Sequence, residues 1–192
     1  MARILIIDNY DSFTYNLLHY VQEYNDHKTD VYRNDRISLD DIEAYDGILL
    51  SPGPGIPSEA GNLLKIIDRY KETKRIFGVC LGLQAIAEVF GGSLLNTDKV
   101  YHGVATNINL LDTGHYLFDG LPDIFQGGRY HSWVVKKDTV PSCLQTDALD
   151  DEGYIMAMSH RSLDICGVQF HPESILTPDG KKIVFNWLKK FD

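Results

Sequence analysis

The chain is poor in cysteine, has no long apolar run and lacks an excess of positive charge, and each shortage removes a class of explanation. Its three cysteines, Cys80, Cys143 and Cys166, are an odd number at wide spacing with no CxxC pair. That speaks against a disulfide framework or a cysteine zinc site and for a reducing, cytoplasmic compartment. No window approaches the ~18 apolar residues of a membrane span. The N-terminal run Ile4 to Ile7 is too short for a signal peptide and leads straight into Asp8. Lysine and arginine total 18 against 27 aspartates and glutamates, a net charge of −9. A general nucleic-acid or anionic-membrane binder would carry a basic surface instead. Also missing are a Gly-Lys-Ser/Thr phosphate loop, a G-x-G-x-x-G fingerprint, an H-E-x-x-H pair and any histidine cluster at metal-ligand spacing, so no metal site is expected. What remains is globular, with 44% apolar and 23% charged residues. A chain of this size buries about 70% of its unfolded surface, so residues 1–192 are expected to form one domain without a staple.

The first half alternates strand and helix signals. Ile4 to Ile7, Gly47 to Leu50 and Ile76 to Val79 are continuous apolar runs, the mark of strands buried on both faces of a parallel sheet. Phe13, Leu17, Tyr20, Val21 and Tyr24 recur at steps of three and four and predict an amphipathic helix. Thr29 to Arg33 suits a second strand, and Ser38-Leu39-Asp40-Asp41 resembles a capping box. Leu63, Leu64, Ile67 and Tyr70 share a helical face, and a helix from Gly82 to Phe90 should stop at Gly91-Gly92. Between Leu94 and Gln169, short runs such as Ala105 to Leu111 and Tyr130 to Val135 predict added antiparallel strands. Thr177-Pro178 reads as an N-cap before a last helix that presents Ile183, Val184, Trp187, Leu188 and Phe191. The pattern predicts an α/β fold: a mainly parallel open sheet flanked by helices, with additional antiparallel strands.

Chemistry concentrates at three strand ends. Gly78-Val79-Cys80-Leu81-Gly82 has the Gly-x-nucleophile-x-Gly form of a nucleophile elbow with cysteine at its apex. A side chain at either flank would collide with neighbouring backbone, and the helix that follows favours a thiolate and aims the Leu81 N–H at an oxyanion. A cysteine nucleophile needs a base and the base an orienting group. Among seven histidines, only His171 is followed by a proline that fixes its spacing to a carboxylate, in Phe170-His171-Pro172-Glu173-Ser174. Proline keeps His171 extended, and residues two apart in an extended segment share a side. The third feature, Ser51-Pro52-Gly53-Pro54-Gly55, is a stiff loop whose Gly53 N–H can be a second oxyanion donor. Each has a plain structural alternative: a buried free cysteine, a surface histidine turn and an ordinary tight turn. It is their combination that favours chemistry.

Together these residues are similar to the class I (triad-type) glutamine amidotransferases. Within them the chain resembles the small glutaminase subunits of anthranilate synthase (component II) and aminodeoxychorismate synthase. The resemblance spans essentially the whole chain: Asp8-Asn9-Tyr10-Asp11-Ser12-Phe13-Thr14-Tyr15-Asn16, Leu50 to Gly55, Gly78 to Gly82, Arg129-Tyr130-His131-Ser132 and Gln169 to Ser174. It implies a flavodoxin-like fold, Cys80 as nucleophile, His171 as general base and acid, Glu173 as its orienting carboxylate, and an oxyanion hole from Gly53 and Leu81. It also implies a glutamine pocket at Gly53, Pro54, Gly55, Gln84, Ser132 and Trp133. Gln84 lies one helical turn beyond Cys80, on the same face. Relatives often carry leucine where this chain has Trp133, and many have lysine after His102-Gly103 where it has Val104.

The implied activity is hydrolysis of L-glutamine, with ammonia delivered to a chorismate-using synthase subunit in a heterodimer or heterotetramer that makes anthranilate for tryptophan. The same chemistry could serve para-aminobenzoate and folate. The chain itself would need no cofactor, magnesium being expected only on the synthase partner, and neither nucleic acid nor membrane is an expected partner. Asp11 to Asn16 is a candidate face for the synthase. A free-standing cysteine hydrolase and a regulatory module with a dead site are the alternatives from other classes.

Overall fold

Residues 1–24 and 27–192 are described by a computed structural model of the chain. In chain order the elements are β1 (Arg3–Asp8), α1 (Thr14–Tyr24), β2 (Lys28–Arg33), β3 (Gly47–Leu50), α2 (Leu63–Tyr70), β4 (Arg75–Val79), α3 (Leu81–Val89), β5 (Leu94–Asn96), β6 (Val104–Leu110), β7 (Ile124–Arg129), β8 (Trp133–Val135), β9 (Leu144–Asp150), β10 (Ile155–His160), β11 (Ile165–Val168) and α4 (Gly180–Leu188). Nine strands form one sheet in the order β2-β1-β3-β4-β11-β10-β9-β6-β7, and β5 pairs with β8 separately. From β2 to β11 every pairing is parallel; from β11 to β7 every pairing is antiparallel. The antiparallel part is thus as large as the parallel one, more than the apolar runs alone foretell.

The two-residue strand period sorts the core into layers. Ile4, Ile6, Leu49, Phe77 and Val79 face one side, where they meet Leu17 and Val21 of α1 and Ile183, Val184, Trp187 and Leu188 of α4. Leu5, Ile7, Ile48, Leu50 and Ile76 face the other, against α2 and against Leu81, Ala85 and Ile86 of α3. Ile183, Val184 and Leu188 are fully buried, each worth about 1.5–3 kcal/mol over an exposed side chain. That burial secures α4 on the sheet. Leu83 and Ala87 carry α3 across to Val135 of β8 and to Leu144, Ile155 and Met158 of the antiparallel half. One helix, the one that follows Cys80, therefore touches both halves.

Helix α3 ends as its glycine pair predicts. Gly91 takes φ +99°, its N–H donates to Glu88 O, and the Gly92 N–H donates to Ala87 O, the two bonds of a Schellman motif. Two other expectations change. The Ser38 hydroxyl accepts from the Asp40 amide, but the segment that follows is only a 3₁₀ turn, Asp40–Ala44. Thr177 does not cap α4, whose N-cap is Asp179; its hydroxyl instead donates to His171 O at 2.6 Å and accepts from Gly128 N–H at 2.9 Å. The last edge strand also folds back. Gly128 of β7 pairs with His171 beyond β11, and the Phe125 and Phe170 rings meet edge-on at 5.5 Å.

Candidate active site

The site lies at the C-terminal ends of the parallel strands, where open α/β sheets bind ligands. Cys80 is the single residue between β4 and α3 and has φ +52°, ψ −102°. Only Tyr10 shares a positive φ among the described non-glycine residues. Such a conformation costs on the order of 1–3 kcal/mol and persists where its surroundings impose it. They do so here: the Cys80 N–H donates to Val168 O at 2.8 Å, and its carbonyl accepts from Gln84 N–H at 3.1 Å. The flanking glycines are obligatory. A Cβ on Gly78 would lie 2.5 Å from the Gly82 carbonyl carbon, and one on Gly82 would lie 2.8 Å from Leu50 Cβ and O.

His171 follows β11 and is buried, its N–H bound to Gly128 O at 2.8 Å. Its Nδ1 lies 2.6 Å from Glu173 Oε1, and Glu173 is buried too. The other ring nitrogen, Nε2, is enclosed without a hydrogen-bond partner. Burial works against the imidazolium, but the Glu173 carboxylate and the neighbouring Cys80 sulfur outweigh it and raise the His171 pKa well above the usual histidine value. The rings of Tyr130 and Phe13 stand edge-on to the imidazole at 4.8 and 5.7 Å. Phe13, on the segment Asp11 to Asn16, thus belongs to the wall around His171.

The third loop is fixed from beneath. Ser51 Oγ accepts from the Asn9 amide at 2.9 Å, Asn9 Nδ2 donates to Ser51 O at 2.8 Å, and Asn34 Nδ2 donates to Asn9 Oδ1 at 3.0 Å. A Cβ on Gly53 would meet Asn9 Cβ at 2.6 Å and Leu81 Cδ2 at 2.7 Å. The Gly53 backbone therefore packs against Leu81, whose own N–H opens α3 and has no acceptor within the helix.

A pocket of about 310 Å³ joins these parts, lined by Gly53, Pro54, Gly55, Cys80, Gln84, Tyr130, His131, Ser132 and Trp133. All six residues expected to bind glutamine line it. Leu81, His171 and Glu173 lie behind the wall. A larger cavity, about 600 Å³, opens at the opposite ends of the strands beside Met1, Asp46, Arg75 and Asp164, away from any nucleophile. The contact to Trp133 is through its backbone: Gln84 Nε2 donates to the Trp133 carbonyl at 2.8 Å. The Trp133 side chain takes no part in that bond.

Several site residues carry no obvious signal of their own. Gln169 Nε2 approaches Cys80 Sγ at 3.5 Å; its place two residues before His171 on an extended segment was the available clue. His131 accepts from Arg129 Nε at 3.2 Å, and Arg129 pairs with Asp150 at 2.5 Å inside the protein. Burial, the Arg129 charge and nearby His171 push the His131 pKa down to about 3, so it stays neutral. The Arg129 guanidinium also stacks 3.5 Å from the Tyr101 ring. Burial raises the Cys166 thiol pKa, which sets it apart as a packing residue. Among the described residues no cluster of histidine, cysteine and carboxylate side chains is arranged to hold a metal, and no helix is long and apolar enough to cross a membrane.

Similarity to known proteins follows the same outline. Residues 5–191 match the family Glutamine amidotransferase class-I. The chain is 46% identical over 190 residues to an aminodeoxychorismate/anthranilate synthase component 2 of Bacillus subtilis, covering 98% of this chain and 96% of that one. It is 45% identical over 188 residues to an anthranilate synthase component 2 of Azospirillum brasilense, covering 96% and 94%. A solved glutamine amidotransferase from Thermotoga maritima shares the fold with a TM-score of 0.81, at 14% identity and over 98% and 97% of the two chains. With nearly the whole sequence matched, and the elbow, loop and histidine segment converging on one pocket, the chain belongs to the class-I glutamine amidotransferase family.

Proposed function

We propose that this chain is a glutaminase subunit that hydrolyses L-glutamine and hands the ammonia to a synthase subunit that aminates chorismate to anthranilate. The observation that carries the reading is the buried series Glu173, His171 and Cys80, with the sulfur in the wall of a 310 Å³ pocket and the carboxylate 2.6 Å from His171 Nδ1. The Cys80 thiolate attacks the side-chain amide carbon, and the oxyanion is bound by the Gly53 and Leu81 N–H groups. As the C–N bond breaks, His171 gives its proton to the departing nitrogen, so ammonia leaves and a glutamyl thioester remains. Neutral His171 then takes a proton from water, whose oxygen displaces the sulfur. The product leaves as the side-chain carboxylic acid, which ionises to glutamate in solvent, and thiolate and imidazolium are regenerated, so the cycle balances.

The Bacillus subtilis relative's name covers both aminodeoxychorismate and anthranilate synthases, so para-aminobenzoate synthesis is the second reading. Exposed Tyr10, Tyr15 and Ile175, the last 94% accessible and two residues beyond Glu173, support a partner-facing surface beside the site. The test is reconstitution with each type of synthase subunit. Cys80→Ser is expected to abolish glutamine-dependent product in the assembled complex and to spare ammonia-dependent product. Glutamine-dependent turnover that survives Cys80→Ser would overturn the triad assignment, and the identity of the aromatic amine decides the pathway.

A further inference from the structure

Three amide groups stand in series between the pocket wall and the nucleophile. Gln84 Nε2 lies 2.8 Å from the Trp133 carbonyl and 3.2 Å from Gln169 Oε1, and Gln169 Nε2 lies 3.5 Å from Cys80 Sγ. In a lone side-chain amide, oxygen and nitrogen are interchangeable assignments. Here the backbone fixes the direction. The Trp133 carbonyl only accepts, so Gln84 must turn its NH₂ toward it; that same NH₂ can meet only an oxygen of Gln169, which leaves the Gln169 NH₂ facing sulfur. Reversing either amide would set oxygen against oxygen or NH₂ against NH₂. Gln84, Gln169 and Cys80 are 2%, 0% and 4% exposed, so the series is almost wholly withdrawn from bulk solvent.

We propose that Gln169 is a further catalytic residue, donating a hydrogen bond from Nε2 to the Cys80 sulfur, with Gln84 and the Trp133 carbonyl as the positioning groups that hold the donor in that sense. The inference rests on Cys80 being the nucleophile of the proposed glutaminase. A donor binds a thiolate more strongly than a thiol. It therefore favours the attacking form of Cys80 and, later, departure of the sulfur as thiolate when water opens the thioester. The Gln169 proton does not transfer, so the balance of the cycle is unchanged. The other groups that face the sulfur are His171 with Glu173 behind it, and Tyr130 and neutral His131 with Arg129 behind them. The 53–55 loop adds no ionisable side chain.

The test is the pH dependence of Cys80 alkylation by iodoacetamide in the full chain, read by mass spectrometry and by thiolate ultraviolet absorbance. Gln169→Leu is expected to lower the alkylation rate at neutral pH by about tenfold and to move the profile upward by about one pH unit. A folded Gln169→Leu protein with a wild-type profile overturns the proposal, since a purely structural role would lower the melting temperature and leave the profile in place. Should that variant not fold, Gln84→Leu frees the Gln169 amide to rotate. The same upward movement is then expected, and an unchanged profile is again fatal. Alkylation reads the sulfur directly, whereas the glutaminase reading stands or falls on Cys80→Ser in the complex, so the two failures are distinguishable.

Discussion

Replacing Glu173 by glutamine removes a charge while keeping a side chain of nearly the same shape against His171. The pair is 2.6 Å apart and enclosed, with Glu173 4% exposed. Unit charges with centres about 4 Å apart attract by about 4 kcal/mol at an effective dielectric constant near 20. The cost of keeping both ions out of water offsets part of that, leaving roughly 2–4 kcal/mol, or about 30- to 1,000-fold, in favour of the imidazolium. If the glutamine turns its oxygen to Nδ1, orientation survives and only the charge is lost. If it turns its NH₂, His171 is forced into the tautomer that cannot accept a proton at Nε2. Either way kcat for glutamine hydrolysis in the assembled complex should fall by about 30- to 1,000-fold, with little change in KM and with ammonia-dependent synthesis intact. Steady-state kinetics with both nitrogen donors measures this. A loss below about threefold with an unchanged pH profile would refute the argument that the carboxylate charge sustains the imidazolium.

Two histidines should bend the stability curve in opposite directions. His171, whose folded pKa is raised, contributes stability that is fully present below the unfolded histidine value of about 6.5 and is lost as pH climbs through the higher folded value. His131, held near 3, resists a proton that the unfolded chain accepts. Stability therefore falls between about pH 6.5 and 3, by roughly 5 kcal/mol over the window. Urea titrations across this range should show that acid limb in the parent and a shallower one in His131→Asn; equal slopes would sink the assignment. Gly78→Ala places a Cβ 2.5 Å from the Gly82 carbonyl carbon and should cost about 2–4 kcal/mol, read as a lower melting temperature; a neutral result would mean the elbow can relax. Trp133→Leu should leave kcat/KM within about threefold because Gln84 is bound by the backbone carbonyl; a large loss would give the indole a direct role.

The parallel half is legible because each central strand is covered on both faces, so burial writes an unbroken apolar run into Ile4 to Ile7, Ile48 to Leu50 and Ile76 to Val79. The triad is legible for a different reason: an elbow flanked by two glycines and a histidine fixed by the following proline are local constraints. The antiparallel half is harder. β7 contains Gly127 and Gly128, which carry no strand signal, yet Cβ atoms there would meet Ile108 Cγ1 at 2.7 Å and Leu176 Cβ at 2.9 Å. The glycines serve close packing within a strand. Tyr130 was expected at the start of a strand but lies in the connection before β8, where it reaches His171. Thr177 has the composition of a helix cap, and only the return of β7 shows why its hydroxyl is used elsewhere. Gln169 owes its role to Gln84, 85 residues away, a contact no local pattern announces, whereas the link of His131 to Arg129, two residues back, follows the same extended spacing that joins His171 to Glu173.

The pairing of Gly128 with His171 has a consequence for the order in which properties disappear. β7 is the outermost strand of the sheet, held by β6 on one side, yet it supplies the carbonyl that holds the His171 amide. A fluctuation that peels this edge away releases the histidine while β1 to β4 and their helices remain assembled. Partial openings of this kind lie below the global unfolding free energy. Catalytic competence should therefore fade in dilute urea before the helical signal does, and the His171 amide should exchange with solvent at the rate of the edge opening. The chemistry is tethered to an edge of the sheet, so activity is a more sensitive gauge of that edge than any measure of the folded whole.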